Sequence, residues 1–498
     1  MPAIITNKFR LNNAEQFTES FSESAATVYY LGIGRAQNFG TITRPDARTD
    51  YEGTETVPTT PGDSVLNEFK NFDDLLAAKK ITGSDVSYCI PRRNWTTGTT
   101  YDIYRHDYEE FISGSTTTRQ TANSGATALF DSTFYVLTSD RNVYKCLDND
   151  GNTASTVEPT GTGTSIITTG DGYKWKYMYT LAAAQQANFL STDFMAVATN
   201  STVAAAAVDG ALDIIKIKTA GSSYTVSGGG TSGTITAIPI RGDGSSGVCS
   251  VTLTSGAITA VTVTTAGTGY TSGYIRNADI LAATNAGGAG SGAELDVIIP
   301  PKGGHGKNAV EELGGFFVML NTSLEGTESS NSGDFTAAND FRKISLIKDP
   351  QNAAGSAASA TTLRGTYAVK IAASPTPGTF TPDEEINQAS TGAVGIVVEW
   401  DSTNKILYYV QTRHNDAGAD SNGNVTAFSG ANVITGQASS ATGTPDASTQ
   451  TVNNVSFTSG YSAPELKHDS GDLLYVENRT KITRATDQTE NIKLIIEF

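Results

Sequence analysis

Apolar residues in the first third of the chain recur at three- and four-residue steps, the spacing of one helix face. The clearest case is residues 64–80, where six apolar residues follow this spacing. Ser64 stands where an N-cap is expected, and two lysines near the end of the segment would complement the helix dipole. The pattern predicts a helix with one buried face. Weaker patterns predict helices over residues 14–21 and 181–190.

Alternation of apolar and polar residues predicts strands elsewhere in the chain. In residues 174–179 the side chains of Trp175, Tyr177 and Tyr179 point to one side of the predicted strand. An aromatic row of this kind is typical of a core face, so we expect Trp175 to pack in the core rather than to bind a ligand. Residues 491–498 also alternate, which predicts that the chain ends as a strand inside a sheet.

Residues 201–304 are rich in Gly, Thr, Ser and Ala, and they repeat with an offset of 46 residues. Gly221 and Tyr224 return as Gly267 and Tyr270. Apolar and polar residues alternate in both copies, which predicts one strand with an apolar face in each. We expect a stacked pair of β units, either solenoid-like or a small sandwich.

Residues 351–460 form a second segment of this composition, with a weaker repeat at an offset of 48 residues, in which Phe380 returns as Phe428. Between these positions, residues 401–404 separate two apolar runs. This arrangement predicts a β-hairpin.

Together these patterns predict a mainly β protein with a few short helices and two Gly/Thr-rich β inserts. We expect the core to comprise residues 1–200, 305–350 and 461–498. The repeat-bearing insert is expected at 201–304 and the second, smaller β insert at 351–460. Both are expected at the surface, because loops tolerate insertions best.

Charge and composition narrow the possible partners. The 498-residue chain has a formal net charge of −17 at pH 7. Because it also has no long Lys/Arg run, we expect no nucleic-acid partner and no membrane partner. No stretch approaches the roughly 20 apolar residues that cross a bilayer, and the start lacks the pattern of a secretory signal. Cys89, Cys146 and Cys249 are expected to be free buried thiols in a protein made in a reducing cytoplasm.

None of the chemical motifs in the sequence is complete. Residues 303–307 resemble a phosphate loop, but Asn308 stands where Ser or Thr is required. Residues 148–152 resemble a calcium loop, but Pro159 stands where its last carboxylate is required, so a turn is favoured. The histidines lack a nucleophile motif and a short metal-ligand spacing; they are His106, His305, His414 and His468. We therefore expect no enzyme activity, cofactor, metal site or small-molecule substrate.

Six ordered blocks of sequence resemble one protein family, and the resemblance, taken over residues 1–185, 310–350 and 461–498, covers about half of the chain. They are Ile4-Ile5-Thr6-Asn7-Lys8-Phe9-Arg10, Pro61-Gly62-Asp63-Ser64-Val65-Leu66 with Ile90-Pro91-Arg92-Arg93-Asn94-Trp95, Val143 to Asp148, Gly170 to Tyr177, Phe341 to Pro350, and His468 to Ile492. In these blocks the chain is similar to the baseplate wedge subunit of T-even-like contractile-tailed bacteriophages, a subunit that forms a homodimer within each wedge.

The resemblance implies a mainly β fold with an antiparallel β-sandwich core, an opening strand over residues 4–10, and no catalytic residue. It also implies a structural role in the virion. Two copies in each wedge would contact the other baseplate wedge proteins and help to hold the baseplate that controls contraction of the tail sheath. The protein would be assembled in the host cytoplasm and located in the tail baseplate. The two inserts match nothing in the family pattern.

One of these blocks contains candidate interface residues. Arg92 and Arg93 beside Trp95 are residue types that dominate binding hot spots, so they could anchor a partner. Alternatively, Trp95 packs in the core and the two arginines pair locally with acidic residues.

The last block contains a second motif, Glu477, Asn478 and Arg479. We expect a turn held by local hydrogen bonds there rather than a partner site. The Gly/Thr-rich repeats leave another class of function open, because such repeats are common in receptor-binding or glycan-binding tail fibre and spike proteins. That alternative predicts a trimer.

Overall fold

The structure of the chain is a computed structural model, and it describes residues 3–23, 27–39, 41–43, 49–51, 53–112, 114–327, 335–336, 340–412, 418, 420–422, 424–483 and 489–498. Strands account for 39% and helices for 11%, so the predicted mainly β fold is confirmed. Most strand pairs among the described residues are antiparallel, and one short pair is parallel. No helix among the described residues is long and apolar enough to cross a membrane.

The helices in the described part of the chain are short. They are α1 (Asn7–Ser20), α2 (Val65–Asp73), α3 (Ala183–Phe189), α4 (Ser201–Ala206), α5 (Asn277–Leu281) and α6 (Ala309–Glu312). Two single turns of 3-10 helix cover Gly83–Asp85 and Leu129–Asp131.

The strands are numerous and mostly under ten residues long. Up to residue 200 they are β1 (Tyr29–Gly34), β2 (Thr41–Thr43), β3 (Thr49–Tyr51), β4 (Leu75–Ile81), β5 (Val86–Pro91), β6 (Tyr135–Leu137), β7 (Asn142–Asp148), β8 (Ile167–Thr168), β9 (Lys174–Thr180) and β10 (Phe194–Ala196). From there to residue 350 they are β11 (Ile215–Ser222), β12 (Gly233–Pro239), β13 (Arg241–Gly242), β14 (Val248–Thr254), β15 (Ala257–Thr265), β16 (Gly273–Tyr274), β17 (Ser291–Val297), β18 (Phe317–Thr327), β19 (Phe335–Thr336) and β20 (Phe341–Lys348). The remainder are β21 (Thr362–Arg364), β22 (Tyr367–Lys370), β23 (Glu385–Gln388), β24 (Ala393–Asp401), β25 (Ile406–Val410), β26 (Ile434–Gly436), β27 (Thr442–Gly443), β28 (Gln450–Val452), β29 (Val455–Phe457), β30 (Tyr461–Ser462), β31 (Asp472–Ile482) and β32 (Thr489–Glu497).

The chain forms two compact units. The first comprises Met1–Gln16, Ser87–Met319 and Ile495–Phe498, and the second comprises Phe17–Val86 and Leu320–Leu494. The predicted insert at 201–304 falls within the first unit, and the one at 351–460 falls within the second. The predicted insert and core boundaries themselves stay a prediction.

The four-stranded sheet β6-β7-β9-β8 of the first unit is rich in aromatic side chains. β9 pairs with β7 so that Trp175 lies opposite Cys146. Trp175, Tyr177 and Tyr179 are all buried, as predicted, but Tyr179 packs in a different core cluster from the other two. The rings of Tyr173 and Trp175 stack with their centroids 5.4 Å apart. Aromatic contacts therefore supply much of the packing in this core.

Residues 201–304 form a small hydrophobic core of their own, and both copies of the repeat contribute side chains to it. The Tyr224 N–H donates to the Gly256 carbonyl at 3.0 Å, and the Tyr270 N–H donates to the Gly210 carbonyl at 3.3 Å. β11 of the first copy pairs with β17 of the second, and β15 of the second pairs with β14 of the first. The strands of this segment form three small sheets, and residues of both copies share one core.

Glycine is required where the two copies meet. Gly210 has a φ of +63°, and a Cβ at this position would lie 2.1 Å from the Tyr270 nitrogen. A side chain would be strained by the backbone conformation and would also displace the neighbouring main chain.

The second unit contains a five-stranded sheet with the order β21-β4-β1-β20-β31. Its central strand β1 is buried along its whole length and pairs with β4 on one side and β20 on the other. A Cβ on Gly32 in β1 would lie 2.5 Å from the Ser345 Oγ, so glycine allows the close approach of β20. β31 is the last strand in this order and forms an edge of the sheet.

A seven-stranded sheet, β27-β26-β23-β24-β25-β22-β30, forms the other main sheet of this unit. The strands of its two sequence repeats, β23 and β26, pair directly, and Phe380 and Phe428 share one core. β24 and β25 pair across Asp401, whose carboxylate accepts the N–H groups of Thr403 and Asn404 at 3.0 and 2.9 Å. The predicted hairpin is therefore confirmed.

The helix predicted over residues 64–80 is correct for its first half only. Ser64 is the N-cap of α2, as predicted, and its hydroxyl accepts the Asn67 N–H at 3.3 Å. α2 ends at Asp73, however, and the residues that follow form β4. Because β4 pairs with β1 on one side and β21 on the other, main-chain pairing within the sheet outweighs the helical spacing of the sequence.

The predicted buried face of this helix is only partly correct. Val65 and Leu66, expected on that face, are exposed, whereas Phe72 is buried as predicted. The other buried residues of α2 are Lys70, Asn71 and Asp73, near its C-terminal end.

The two ends of the chain differ in how well they were predicted. The strand implied for residues 4–10 is wrong, because α1 begins at Asn7. The helix expected at 14–21 is the second half of α1, and the helix at 181–190 is confirmed as α3. The C-terminal strand is confirmed as β32, with Ile492 and Leu494 buried.

Removal of residues 495–498 tests the contribution of this strand to the first unit. Ile495 packs against the main core of that unit, and the Phe498 N–H donates to the Phe316 carbonyl at 3.1 Å. We expect the truncated protein to lose about 2–4 kcal/mol in the free energy of unfolding, measured by urea denaturation. The exposed substitution Glu497→Gln is the control, and an unchanged midpoint in the truncated protein would contradict the prediction.

Candidate functional site

The candidate interface arginines form their hydrogen bonds inside the first unit. The Arg92 guanidinium donates to Asn94 Oδ1 at 2.9 Å and to the Ser191 carbonyl at 2.8 Å. The Arg93 guanidinium donates to the Phe130 carbonyl at 2.8 Å and lies 4.5 Å from the centroid of the Tyr135 ring. These contacts are with carbonyls, an amide and a ring, not with the acidic residues that sequence reasoning suggested.

Trp95 is half-buried and belongs to a hydrogen-bond chain that joins two of the sequence blocks. Its indole N–H donates to Ser155 Oγ at 3.1 Å, and the Ser155 hydroxyl donates to Asp171 Oδ2 at 3.0 Å. The same carboxylate oxygen accepts the N–H groups of Thr156 and Val157 at 2.7 and 2.9 Å. Asp171 therefore fixes the loop against which Trp95 packs.

The pKa of Asp171 reflects this set of donors. Partial burial acts to raise the pKa of the carboxyl, but the hydrogen bonds from Thr169, Val157, Thr156 and Ser155 outweigh it and lower the pKa to about 2. Hydrogen bonds to the charged form of a carboxyl have this effect because they are weakened when it is protonated.

Trp175 does not lie at a surface. It is fully buried, and its indole N–H has no acceptor among the described residues. Its ring packs against Tyr101, with the centroids 5.8 Å apart. This placement agrees with the expected core role, and Trp95 packs against the same core cluster.

A buried ionic cluster that sequence reasoning missed lies in the same unit. The pairing of β7 with β9 sets Lys145 opposite Lys176, and like charges in that register repel each other. Lys145 is fully buried and pairs with Glu312 at the end of α6. The carboxylate of Glu312 also accepts the N–H of Gly306 at 2.9 Å and that of Asn308 at 3.1 Å.

Glu312 thus joins the sheet to the glycine-rich bend at 303–307. His305 in that bend is buried, its ring packs edge-on against Tyr104 with the centroids 4.9 Å apart, and its Nδ1 has no hydrogen-bond partner in the described chain. Burial lowers the pKa of His305 well below its usual range, and the charges of Lys145 and Lys176 act in the same direction. Burial also lowers the pKa of Lys145, and Glu312 opposes that shift.

A groove in the second unit brings two distant sequence blocks together. Residues 61–65 with Asn67 and Glu68 form one side of it, and residues 473–476 of β31 form the other. Its volume is about 580 Å³. Val65 on the first side and Leu474 on the second are exposed apolar residues. In the first block only the cap at Ser64 was recognisable from sequence.

Glu477, Asn478 and Arg479 do not form the predicted turn. They lie within β31, where Glu477 is opposite Ile344 and Asn478 is opposite Lys343 of β20. Local contacts are nevertheless present: Arg479 Nε lies 3.5 Å from Glu477 Oε1. The Asn478 amide donates to the Thr59 carbonyl at 3.1 Å. This bond ties β31 to the segment that leads into the groove.

Other candidate chemistry is accounted for by local structure. In the described chain no three His, Cys, Asp or Glu residues are grouped as metal ligands would be. Residues 149–152 form a turn after β7, as expected. His106 Nδ1 accepts the Ile299 N–H at 3.2 Å, and His468 Nε2 lies 3.1 Å from the Gly365 carbonyl oxygen, whereas His414 lies outside the described residues. Cys89, Cys146 and Cys249 are free and buried, as predicted.

Comparison with known proteins gives no assignment for this chain. No family model matches it, and no curated protein matches it either.

Substitution of Glu312 tests the buried ion pair. Glu312→Gln keeps an oxygen acceptor for the 306 and 308 N–H groups but leaves the Lys145 ammonium unpaired, so we expect a loss of about 3–5 kcal/mol in unfolding free energy. Glu311→Gln, next to it on the partly exposed face of α6, is the matched control and should cost about 0.5 kcal/mol or less. The double variant Lys145→Met/Glu312→Gln should be more stable than Glu312→Gln alone. Equal effects of the two single Glu variants would contradict the pairing.

The lowered pKa of Asp171 leads to a separate prediction about the stability of the protein in acid. Its folded-state pKa lies below the unfolded value near 3.8, so its contribution is complete above that pH and is lost as pH falls toward 2. Asp171→Asn should lower stability at pH 7 by roughly 1 kcal/mol after allowance for solvent screening, and it should flatten the decline between about pH 4 and 2. Thermal melting across this pH range measures both effects. Asp140→Asn, at an exposed turn, should leave the decline as steep as in the wild type.

Proposed function

We propose that this protein is a structural subunit of the baseplate wedge in a contractile phage tail. It acts as a homodimer that contacts other baseplate wedge proteins and helps to build the baseplate that controls sheath contraction. In this proposal the protein is located in the virion, is assembled in the host cytoplasm, and has no catalytic centre and no cofactor.

The observation that carries the proposal is the groove beside β31. Residues 61–66 and 468–492 belong to two of the blocks that resemble the wedge subunit, and about 400 residues separate them in the chain. Residues of both blocks line one groove, with exposed apolar side chains at its edge. Exposed apolar patches mark interaction surfaces more often than they mark catalytic sites.

Parts of three blocks meet in the first unit. Trp95 is linked through Ser155 to Asp171, and Cys146 of β7 lies opposite Trp175 of β9. Sequence similarity there would then reflect shared packing of the core. Exposed large apolar side chains lie instead in residues 4–10, 61–66 and 468–492, which favours these three stretches as the assembly surface.

The alternative is a receptor-binding or glycan-binding tail fibre or spike protein. The feature that favours it is the pair of Gly/Thr-rich repeats, each of which forms its own small core. Such a protein would be expected to form a trimer.

The mass in solution separates the two functions. We expect light scattering coupled to size exclusion, at two protein concentrations and moderate salt, to give the mass of two 52.1 kDa chains. A stable trimer would contradict the wedge-subunit proposal and direct attention to glycan binding by the repeats.

A further inference from the structure

We infer that the groove beside β31 binds an extended, cationic segment of a neighbouring protein, which adds to the sheet as a further strand. This inference rests on the proposed function and specifies one surface through which the subunit would contact its neighbour. It follows from the position of the strand, the size of the groove, its apolar edge and its charge.

The first observation is the position of β31. It ends the order of the five-stranded sheet, and it pairs with β20 on its other side through residues such as Tyr475, opposite Leu346. An edge strand presents main-chain donors and acceptors that an incoming extended segment can pair with. A change of register beside Tyr475 turns Leu474 outward as a bulge residue, so this side chain faces the groove rather than the sheet.

The second observation is the shape and size of the groove. An edge strand on one side and the start of a helix on the other form a channel that an extended chain can enter from the side. Four residues placed opposite Leu473–Val476 would span about 13 Å. The volume of about 580 Å³ is within the range of binding sites for short segments and small ligands.

The third observation is exposed apolar surface at this groove. Val65 is 64% exposed and Leu474 is 47% exposed. Successive side chains of an added strand point to opposite faces, so alternate residues of the partner could cover these two side chains. Water is then removed from apolar surface on both partners, which favours binding.

The fourth observation is charge. Asp63 and Glu68 are the charged side chains that line the groove, and both are acidic. The start of α2 does not balance the repulsion that these two acidic side chains exert on an anion. Ser64 Oγ already accepts the Asn67 N–H at the helix start, and Glu68 lies in the first turn. The groove therefore favours Lys or Arg in the bound segment and disfavours Asp, Glu or phosphate.

The test is selection of random heptapeptides displayed on phage against the full-length chain, followed by fluorescence anisotropy with the most enriched peptide. We expect enriched peptides to contain Lys or Arg and β-branched residues and to lack proline. Leu474→Arg should weaken binding at least tenfold, because it places bulk and positive charge at the strand edge. Val433→Arg, at an exposed valine just before β26 in the same unit, is the matched control and should bind within twofold of the wild type.

Asp63→Lys is a second variant that acts through charge alone at an exposed position. It should weaken binding of a cationic peptide, and added salt should reduce the difference from the wild type. Thermal melting of each variant shows whether it is folded. The inference is overturned by enrichment of acidic peptides, by no enrichment, or by a selected peptide that binds folded Leu474→Arg as tightly as the wild type.

Light scattering keeps the two proposals separate. If the protein is a dimer but selects no cationic peptide, this inference fails and the wedge-subunit proposal stands. If Leu474→Arg converts the dimer into a folded monomer without added peptide, a second copy occupies the groove, and the inference about a neighbouring protein is wrong. A trimer that selects cationic peptides at the groove would support the proposed binding site but contradict the proposed wedge-subunit function.

Discussion

Carboxylates that accept main-chain N–H groups hold the loops of this protein in place. Glu312 fixes the bend at 303–307, Asp171 fixes residues 156–157, and Glu384 accepts the N–H groups of Ala438 and Ser439 at 3.0 and 2.8 Å. A loop built from Gly, Thr and Ser has few apolar side chains with which to pack. A charge-assisted hydrogen bond from a main-chain N–H to a buried or half-buried carboxylate compensates for that lack, because such bonds are about twice as strong as neutral ones.

The use of carboxylates as acceptors for main-chain N–H groups is consistent with the composition of the chain. Hydrophobic residues make up only 38% of the chain, and acidic residues exceed basic ones. Each core is consequently small, and buried acids complete several of them. Asp102 is a further case, since its carboxylate accepts the Ser124 and Thr133 N–H groups at 2.9 and 2.8 Å. The excess of acidic residues therefore contributes to internal order as well as to surface charge.

Sequence patterns predicted the structure correctly where the spacing of apolar side chains along the chain determines the local secondary structure. The aromatic row around Trp175, both repeats and the 401–404 hairpin are examples. They failed where pairing between distant segments decides: Leu75 and Leu76 fit a helical face, yet they lie in β4 because β1 and β21 flank it. The pairing of Lys145 with Glu312 joins residues 167 positions apart, and the groove joins residues about 400 positions apart. No local periodicity in the sequence indicates the ion pair or the groove, although the residue predicted as N-cap, Ser64, lies on one side of the groove.

The reciprocal pairing in residues 201–304 has a consequence for synthesis of the chain on the ribosome. When the first copy emerges, the strand that must pair with β11 has not yet been translated, because β17 lies at the end of the second copy. At roughly 5–20 residues per second, the 68 residues between these two strands take about 3–14 s to appear. During that interval the nascent segment exposes mainly Gly, Thr and Ser, and its small polar residues limit association with other nascent chains before the second copy closes the core.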